Sequence, residues 1–301
     1  MTLEDKKAIV IAGFGTSHAQ ALSGLLHIVH RTIEAYPEIL VRLAFTSNII
    51  RQIWGKRAED SKFWQANPGL DKEFLLSIKT PLATLADLQN DGHRSIVVQP
   101  THIFNGEEYQ ELCSLLQSLD SIRTIKEKWK PFSRLALGRP LLGRNGPHPP
   151  YTQDVQEVAR LLEPDVRQAR EQDSALIYMG HGNRYFSTGS YWDLMRIMQD
   201  MYPQTEILVC CASGSPDLNF ILQQLQQKNI SKALLKPLMI VAGDHAKNDM
   251  AGQEPDSLKS RLEASGIRCQ AIFKGLGEEQ AIADKLVRHI KDAAAEQGIE
   301  L

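Results

Sequence analysis

Residues 8–17 read AIVIAGFGTS, and residues 175–184 read ALIYMGHGNR. Each stretch is a short apolar run that leads into two glycines, which is typical of a buried strand followed by a tight turn. The second stretch begins 167 residues after the first, and residues 202–213 (YPQTEILVCCAS) match residues 36–47 (YPEILVRLAFTS) at a separation of 166 residues. Two matches at nearly the same separation predict two similar halves.

A third pair of strings extends this duplication. VVQPTHIFNGEEY (residues 97–109) aligns with LLKPLMIVAGDHA (residues 234–246) at a separation of 137 residues, so that Pro100 matches Pro237 and Glu108 matches His245. The smaller separation indicates that the intervening loops differ in length.

Strand-like and helix-like segments alternate along the chain, which predicts an α/β fold of two similar lobes, each with a mainly parallel central sheet flanked by helices. We expect an active-site cleft between the lobes, at the carboxyl ends of the strands. The predicted strands lie within residues 6–15, 40–47, 94–102, 174–182, 206–216, 232–244 and 268–277. The predicted helices lie within residues 19–36, 82–91, 107–119, 191–202, 218–228, 256–265 and 279–296.

One segment does not follow this alternation of strands and helices. Residues 128–151 contain five prolines and three glycines, too many for a continuous element, and this favours a domain boundary there. We therefore expect an N-terminal lobe over residues 1–135 and a C-terminal lobe over residues 136–301.

The amino-acid composition argues against a nucleic-acid-binding protein and against a membrane-spanning protein. The 34 basic and 36 acidic residues give a net charge of -2, which provides no general electrostatic attraction for nucleic acid. The longest apolar runs, such as residues 8–12, are far shorter than a membrane-spanning helix. The opening MTLEDKK does not resemble a secretory signal, so a cytoplasmic location is expected. The four cysteines lack CxxC spacing and are interpreted as free thiols.

Two histidines of the second half follow predicted strands. His181 stands where the first half has Phe14, and His245 follows Gly243 and Asp244. Because strand ends of one parallel sheet lie at the same edge, these imidazoles can converge, and neutral imidazole binds cobalt, nickel, iron or zinc. Asp244 and Asp249 either orient an imidazole or cap a helix. Capping or core roles remain open for the histidines as well.

The strand end of the first half has a different chemistry. Its turn is predicted to open a helix, so that its backbone N–H groups and two hydroxyls receive an anion; the alternative is a tight turn that needs glycine. His102, at the next strand end, either donates to a ligand carboxylate or makes a structural hydrogen bond. The candidate substrate-binding residues of this turn are Gly13, Phe14, Gly15, Thr16 and Ser17.

Several long strings together resemble one family. The chain is similar to the anaerobic-pathway sirohydrochlorin cobaltochelatases, a branch of the class II chelatases, and the resemblance runs through nearly the whole sequence. The strings that carry it are GFGTS, LAFTSNII, VVQPTHIFNGEEY, GRPLL at residues 138–142, MGHG and PLMIVAGDHAKNDMAG.

The resemblance implies roles for particular residues. The two metal-facing, catalytic histidines of the family map onto His181 and His245. A third metal-facing group, a glutamate in the family, maps onto Ser213, whose neutral hydroxyl is expected to weaken metal affinity. Arg184 departs from the usual pattern and is either a candidate for binding the carboxylates of the substrate or a cation on the surface of the lobe.

The implied activity is insertion of Co(II) into sirohydrochlorin during cobalamin synthesis, with cobalt as a substrate metal and no tightly bound cofactor. The implied partners are a tetrapyrrole, a divalent metal and further copies of the chain in a homo-oligomer. The alternatives are a tetrapyrrole-binding or carrier protein built on a chelatase scaffold, and a chelatase for Ni(II) or Fe(II).

Overall fold

The computed structural model describes residues 6–144 and 150–301. These residues divide into two compact units. The first comprises residues 6–102, Glu108–Pro140 and Ala283–Leu301, and the second comprises Ile103–Glu107 together with the described part of Leu141–Ile282. The opening residues 1–5, used for the expectation of no secretory signal, and Gly146, Pro147 and Pro149 of the breaker-rich segment lie outside the described residues.

Each unit contains a four-stranded, entirely parallel sheet. The strand order is β2-β1-β3-β4 in the first unit and β6-β5-β7-β8 in the second. The strands are β1 (Lys6–Gly13), β2 (Leu40–Phe45), β3 (His93–Pro100), β4 (Arg134–Leu137), β5 (Ala175–Gly182), β6 (Ile207–Ser213), β7 (Lys232–Pro237) and β8 (Arg268–Ala271).

Helices flank both sheets, and most of their stability comes from packing apolar faces against the strands. The α-helices are α1 (Leu22–Ala35), α2 (Asn48–Arg57), α3 (Ser61–Ala66), α4 (Lys72–Ser77), α5 (Pro81–Asn90), α6 (Glu107–Asp120), α7 (Tyr151–Leu161), α8 (Glu163–Glu171), α9 (Gly189–Met201), α10 (Leu218–Gln227), α11 (Leu258–Ala264) and α12 (Gln280–Glu296).

The strand registers support the internal duplication. Ala12 of β1 lies opposite Pro100 of β3, and Met179 of β5 lies opposite Pro237 of β7. The alignment of the repeats already paired Pro100 with Pro237, and the first repeat pairs Ala12 with Met179. The two sheets therefore agree in strand order and in residue register, as expected for two copies of one unit.

The central strands are apolar along their whole length because both of their faces are buried. In β1, Ala8, Val10 and Ala12 pack with side chains from α5 and α6, while Ile9 and Ile11 are equally buried. This continuous burial is typical of parallel sheets covered by helices. The predicted fold class, with two parallel sheets flanked by helices, is confirmed.

The expected boundary differs from the observed division. A cut between residues 135 and 136 would fall inside β4, which pairs with β3 of the first unit. From Ala283 onward, α12 also belongs to the first unit. A contiguous division of the sequence misses both features because strand pairing and helix docking are long-range contacts.

A buried polar trio stabilises the second unit. Lys236 of β7 lies opposite Tyr178 of β5, and Asp165 of α8 accepts hydrogen bonds from both side chains. The Tyr178 hydroxyl lies 2.7 Å from the carboxylate. All three residues are buried, and burial beside Asp165 raises the pKa of Tyr178 well above its ordinary value.

The cysteines are free, as predicted, and form no disulfide in the part of the chain that the structure describes. Burial raises the pKa of both Cys210 and Cys211 to about 12, so their thiols stay protonated at neutral pH. None of the helices in the described ranges is long and apolar enough to cross a membrane.

Candidate metal-handling site

His181 occupies a strand end shaped by glycines. It is the penultimate residue of β5, and Gly182 after it has a φ of 71°. A Cβ atom at Gly182 would lie 1.9 Å from the Ser213 carbonyl oxygen, so glycine is needed. The Nδ1 atom of His181 lies 3.0 Å from the Gly182 carbonyl oxygen. Because a carbonyl only accepts, Nδ1 carries the proton in this contact, and Nε2 keeps its lone pair for a metal.

His245 is oriented by a carboxylate. It follows β7 and directly precedes a short π-helical turn, Ala246–Met250. Its Nδ1 lies 2.5 Å from Oδ2 of Asp249. An aspartate that accepts from one imidazole nitrogen fixes the tautomer and leaves the other nitrogen for a metal. Of the two aspartates proposed from the sequence, Asp249 contacts the imidazole, whereas Asp244 accepts from Asn248 at 2.9 Å.

The two imidazoles meet edge to face. The ring centroids of His181 and His245 are 4.8 Å apart, and the ring planes are inclined at 78°. Both residues are only partly buried. The convergence expected from two strand ends of one sheet is therefore present. Within residues 6–144 and 150–301, no group of three His, Cys, Asp or Glu side chains is arranged to hold a metal ion.

Ser213 makes a contact that the sequence does not reveal. It is the last residue of β6 and lies opposite Gly182 of β5, beside the histidine loop. Its hydroxyl accepts a hydrogen bond from Nε of Arg184 at 3.1 Å. Ser213, the position expected from the resemblance to correspond to a glutamate, therefore holds a neutral group paired with a guanidinium.

Glu107 is a carboxylate near the histidine loop that the sequence did not identify as a site residue. Asn183, two residues after His181, donates to Oε2 of Glu107 at 3.3 Å. The segment Ile103–Glu107 belongs to the second unit, where the Phe104 ring lies 5.0 Å from that of Tyr191. From the sequence, Glu107 is interpreted as a first-turn acid that favours the helix dipole, with a ligand-facing role as the alternative. The contact with Asn183 is not predictable from local sequence because it joins residues far apart in the chain.

The turn at residues 13–17 differs from the expected helix N-terminus. A single 3-10 turn begins at Ala19, and α1 begins only at Leu22. The hydroxyl of Thr16 is buried and accepts from the amide of His18 at 3.1 Å. Gly15 has a φ of 92°, and its Cβ would lie 2.9 Å from the Phe45 ring, so glycine is required there.

These features support the tight-turn interpretation, and substrate contact by the turn stays a prediction. Gly13 is buried at the end of β1, whereas Phe14 is 48% exposed and Ser17 is partly exposed. Phe14 and Ser17 are therefore the side chains of the turn that a ligand would reach.

His102 lies two residues beyond β3 and makes no structural hydrogen bond with any of the described residues. Both of its ring nitrogens are buried without a hydrogen-bond partner among the described residues. Burial lowers the pKa of His102 to about 4, against the opposing effect of the Glu108 carboxylate. The ring is therefore neutral at pH 7, and its role toward a substrate carboxylate remains a prediction.

The depressed pKa of His102 predicts a pH-dependent stability. Between pH 4 and 6.5 the unfolded chain binds a proton that the folded chain does not, so stability is complete above about pH 6.5 and falls with decreasing pH. The His102→Phe variant should lack up to about 3 kcal/mol of the loss in unfolding free energy that the unsubstituted protein shows between pH 7 and pH 4. Urea unfolding at several pH values measures this difference, and identical pH slopes would contradict it.

The chain is similar in sequence to known cobalt chelatases. Residues 7–295 match the family model described as cobalt chelatase (CbiK). The chain is 31% identical over 290 residues to a sirohydrochlorin cobaltochelatase, CbiKC, of Nitratidesulfovibrio vulgaris, with 96% of this chain and 91% of that protein covered. It is 32% identical over 291 residues to the sirohydrochlorin cobaltochelatase of Salmonella typhimurium, with 96% of both chains covered.

Solved structures support the fold. SirB from Bacillus subtilis with Fe3+ has a TM-score of 0.59 at 13% identity, covering 97% of this chain and 98% of that one. The sirohydrochlorin chelatase SirB from Bacillus subtilis subspecies spizizenii, in complex with cobalt, has a TM-score of 0.56 at 12% identity and covers 97% of both chains. The family match spans nearly the whole length of the chain, and the protein therefore belongs to the CbiK family of cobalt chelatases.

Proposed function

We propose that the protein inserts cobalt(II) into sirohydrochlorin, with cobalt as the metal substrate. The observation that carries this proposal is the pair of imidazoles, His181 and His245, with ring centroids 4.8 Å apart. Both Nδ1 atoms are engaged, by a carbonyl and by a carboxylate. Both Nε2 atoms are then the available metal ligands, and imidazole nitrogen suits cobalt(II).

The histidine pair is suited to binding a metal that is then transferred to the tetrapyrrole. Metal insertion exchanges two pyrrole protons of the tetrapyrrole for the ion, so the site must release the metal and accept protons. Two neutral imidazoles hold a divalent cation less strongly than a set that includes a carboxylate, which favours transfer to the macrocycle. Once the metal has left, an imidazole nitrogen can accept one of the displaced pyrrole protons, and Asp249 holds the His245 ring in place through the hydrogen bond from Nδ1.

We infer that Glu107 places a negative charge near the histidine pair without bonding to the metal, so that the metal ligands themselves stay neutral. The amide of Asn183 orients its carboxylate toward the loop that carries His181. A carboxylate at this point would favour a cation beside the histidines and would provide a second proton acceptor. Residues 13–17 and His102 of the first unit keep their proposed role in binding substrate carboxylates, with Phe14 and Ser17 as the accessible side chains.

Metallation itself tests the function. The protein is incubated with sirohydrochlorin and cobalt(II), and the absorbance change of the macrocycle is followed against a protein-free control. Insertion faster than the uncatalysed rate supports a chelatase. Tight binding of sirohydrochlorin without faster insertion would instead indicate a carrier. Parallel assays with nickel(II) and iron(II) under anaerobic conditions rank the metals by kcat/KM.

Glu107→Gln is expected to lower the rate of cobalt insertion by about 10–100-fold, because it removes the charge and keeps the shape of the side chain. The matched control is Glu111→Gln, which changes an exposed carboxylate on the same helix, α6. Steady-state rates at saturating sirohydrochlorin separate the two variants. Equal activity of Glu107→Gln and the unsubstituted protein would remove this carboxylate from the mechanism.

A further inference from the structure

A pocket of about 480 Å³ lies in the second unit, immediately beyond the histidine loop. It begins at Asn183, two residues after His181, and reaches Gly214, next to Ser213. Its volume lies within the range of small-molecule sites and is far larger than a single metal ion requires. The lining residues are Asn183, Arg184, Phe186, Ser187, Thr188, Gly189, Trp192, Gly214 and Ser215.

The pocket favours an anion. Arg184 is the only charged side chain among these nine lining residues. Its Nε donates to Ser213, while its two terminal nitrogens have no partner among the described residues. The lining also includes Gly189 at the start of the 13-residue helix α9, where the helix dipole adds partial positive charge. A free guanidinium in this position is suited to pair with a carboxylate.

The loop that carries Arg184 is held in place by hydrogen bonds between side chains and the backbone. The side-chain oxygen of Asn183 accepts from the amides of Tyr185 and Phe186 at 2.7 and 2.8 Å. The hydroxyl of Thr188 donates to the Ser215 carbonyl oxygen. These contacts order the pocket before a ligand arrives, which lowers the entropy cost of binding.

Two aromatic rings give the same pocket an apolar surface. Phe186 is 39% exposed and Trp192 is 37% exposed. Trp192 is fixed by an edge-to-face contact with Phe220, with centroids 4.8 Å apart. Exposed aromatic surface beside a free cation matches a ligand that is flat and conjugated and bears carboxylates.

We propose that this pocket binds one outer pyrrole ring of the tetrapyrrole together with its carboxylate arms. The proposal rests on the proposed function, since a macrocycle centred on the histidine-bound metal must extend past His181. Phe186 and Trp192 contact the ring, and Arg184 pairs with a carboxylate. The pocket thereby selects carboxylate-bearing tetrapyrroles and positions the macrocycle over the metal, while the histidines perform the exchange.

Binding of metal-free sirohydrochlorin, measured by absorbance titration, tests the pocket without relying on catalysis. Arg184→Gln is expected to weaken binding about tenfold, and Arg184→Lys should recover part of the loss because it keeps the charge. Trp192→Ala should also weaken binding, and Trp192→Phe, which keeps an aromatic ring, should weaken it less. The matched control is Arg196→Gln, an exposed arginine of α9 outside the pocket.

The kinetic pattern separates this proposal from the proposed function. Arg184→Gln should raise KM for sirohydrochlorin by a larger factor than it lowers kcat, because the guanidinium contacts the substrate and not the reacting atoms. Unchanged sirohydrochlorin affinity in Arg184→Gln, with circular dichroism that shows an intact fold, would overturn the pocket assignment. If the unsubstituted protein binds sirohydrochlorin and fails to metallate it, the proposed function fails while the binding titration still decides on the pocket.

Discussion

His245→Ala is expected to lower the rate of cobalt insertion by about 10²–10⁴-fold, the range typical of a lost proton-transfer group. The substitution removes one of the two imidazoles that face each other at 4.8 Å and leaves Asp249 without its hydrogen-bond partner. Stopped-flow absorbance at saturating cobalt and sirohydrochlorin measures the effect. Cobalt affinity, measured by calorimetry without the tetrapyrrole, should fall in the same variant.

The control for this variant is His30→Ala, which removes an exposed histidine of α1. The partial exposure of His245 predicts only a small change in thermal stability for His245→Ala, since little packing is lost. A variant that folds normally and keeps the full insertion rate would exclude His245 from the mechanism.

Asp165→Asn is expected to destabilise the protein by about 3–5 kcal/mol, because it leaves the ammonium of Lys236 buried without a compensating charge. For the second unit this corresponds to a decrease in Tm on the order of 10 °C. Urea unfolding and calorimetry measure it. The double variant Asp165→Asn/Lys236→Met should be more stable than the single one, since it also removes the unpaired charge.

The difference in stability between the single variant Asp165→Asn and the double variant measures the destabilisation that the unpaired ammonium of Lys236 causes. If Asp165→Asn were as stable as the unsubstituted protein, the trio would contribute no net stability. Tyr178 stands in the same strand as His181, three residues before it, so that the trio supports the strand that ends at the metal-handling site.

The repeated strings predicted much of the fold because they encode buried strands. The runs at residues 8–13 and 175–180 became β1 and β5, and the predicted helices in both halves appear with similar bounds. Three short helices between residues 48 and 77, the helices α7 and α8, and the strand β4 were not predicted. β4 has only four residues in a segment rich in proline and glycine, and its position depends on pairing with β3.

The site was predictable where it depended on topology. Parallel strands end at one edge of a sheet, and this alone predicts that His181 lies near His245. The hydrogen bond of Ser213 with Arg184 and that of Glu107 with Asn183 join residues that are distant in sequence, so local patterns do not reveal them. The hydrogen bond from Arg184 to Ser213 indicates that a glutamate at position 213 would also pair with Arg184. The guanidinium and a bound metal would then compete for its carboxylate.

Cobalt(II) bound to the protein in a crystal tests the metal assignment most directly. We expect an anomalous peak bonded to Nε2 of both His181 and His245 at about 2.0–2.2 Å, the range of imidazole bonds to divalent metals of similar size. The Nδ1 contacts with the Gly182 carbonyl oxygen and with Asp249 should persist. An ion bound elsewhere, with both Nε2 atoms free, would contradict the account.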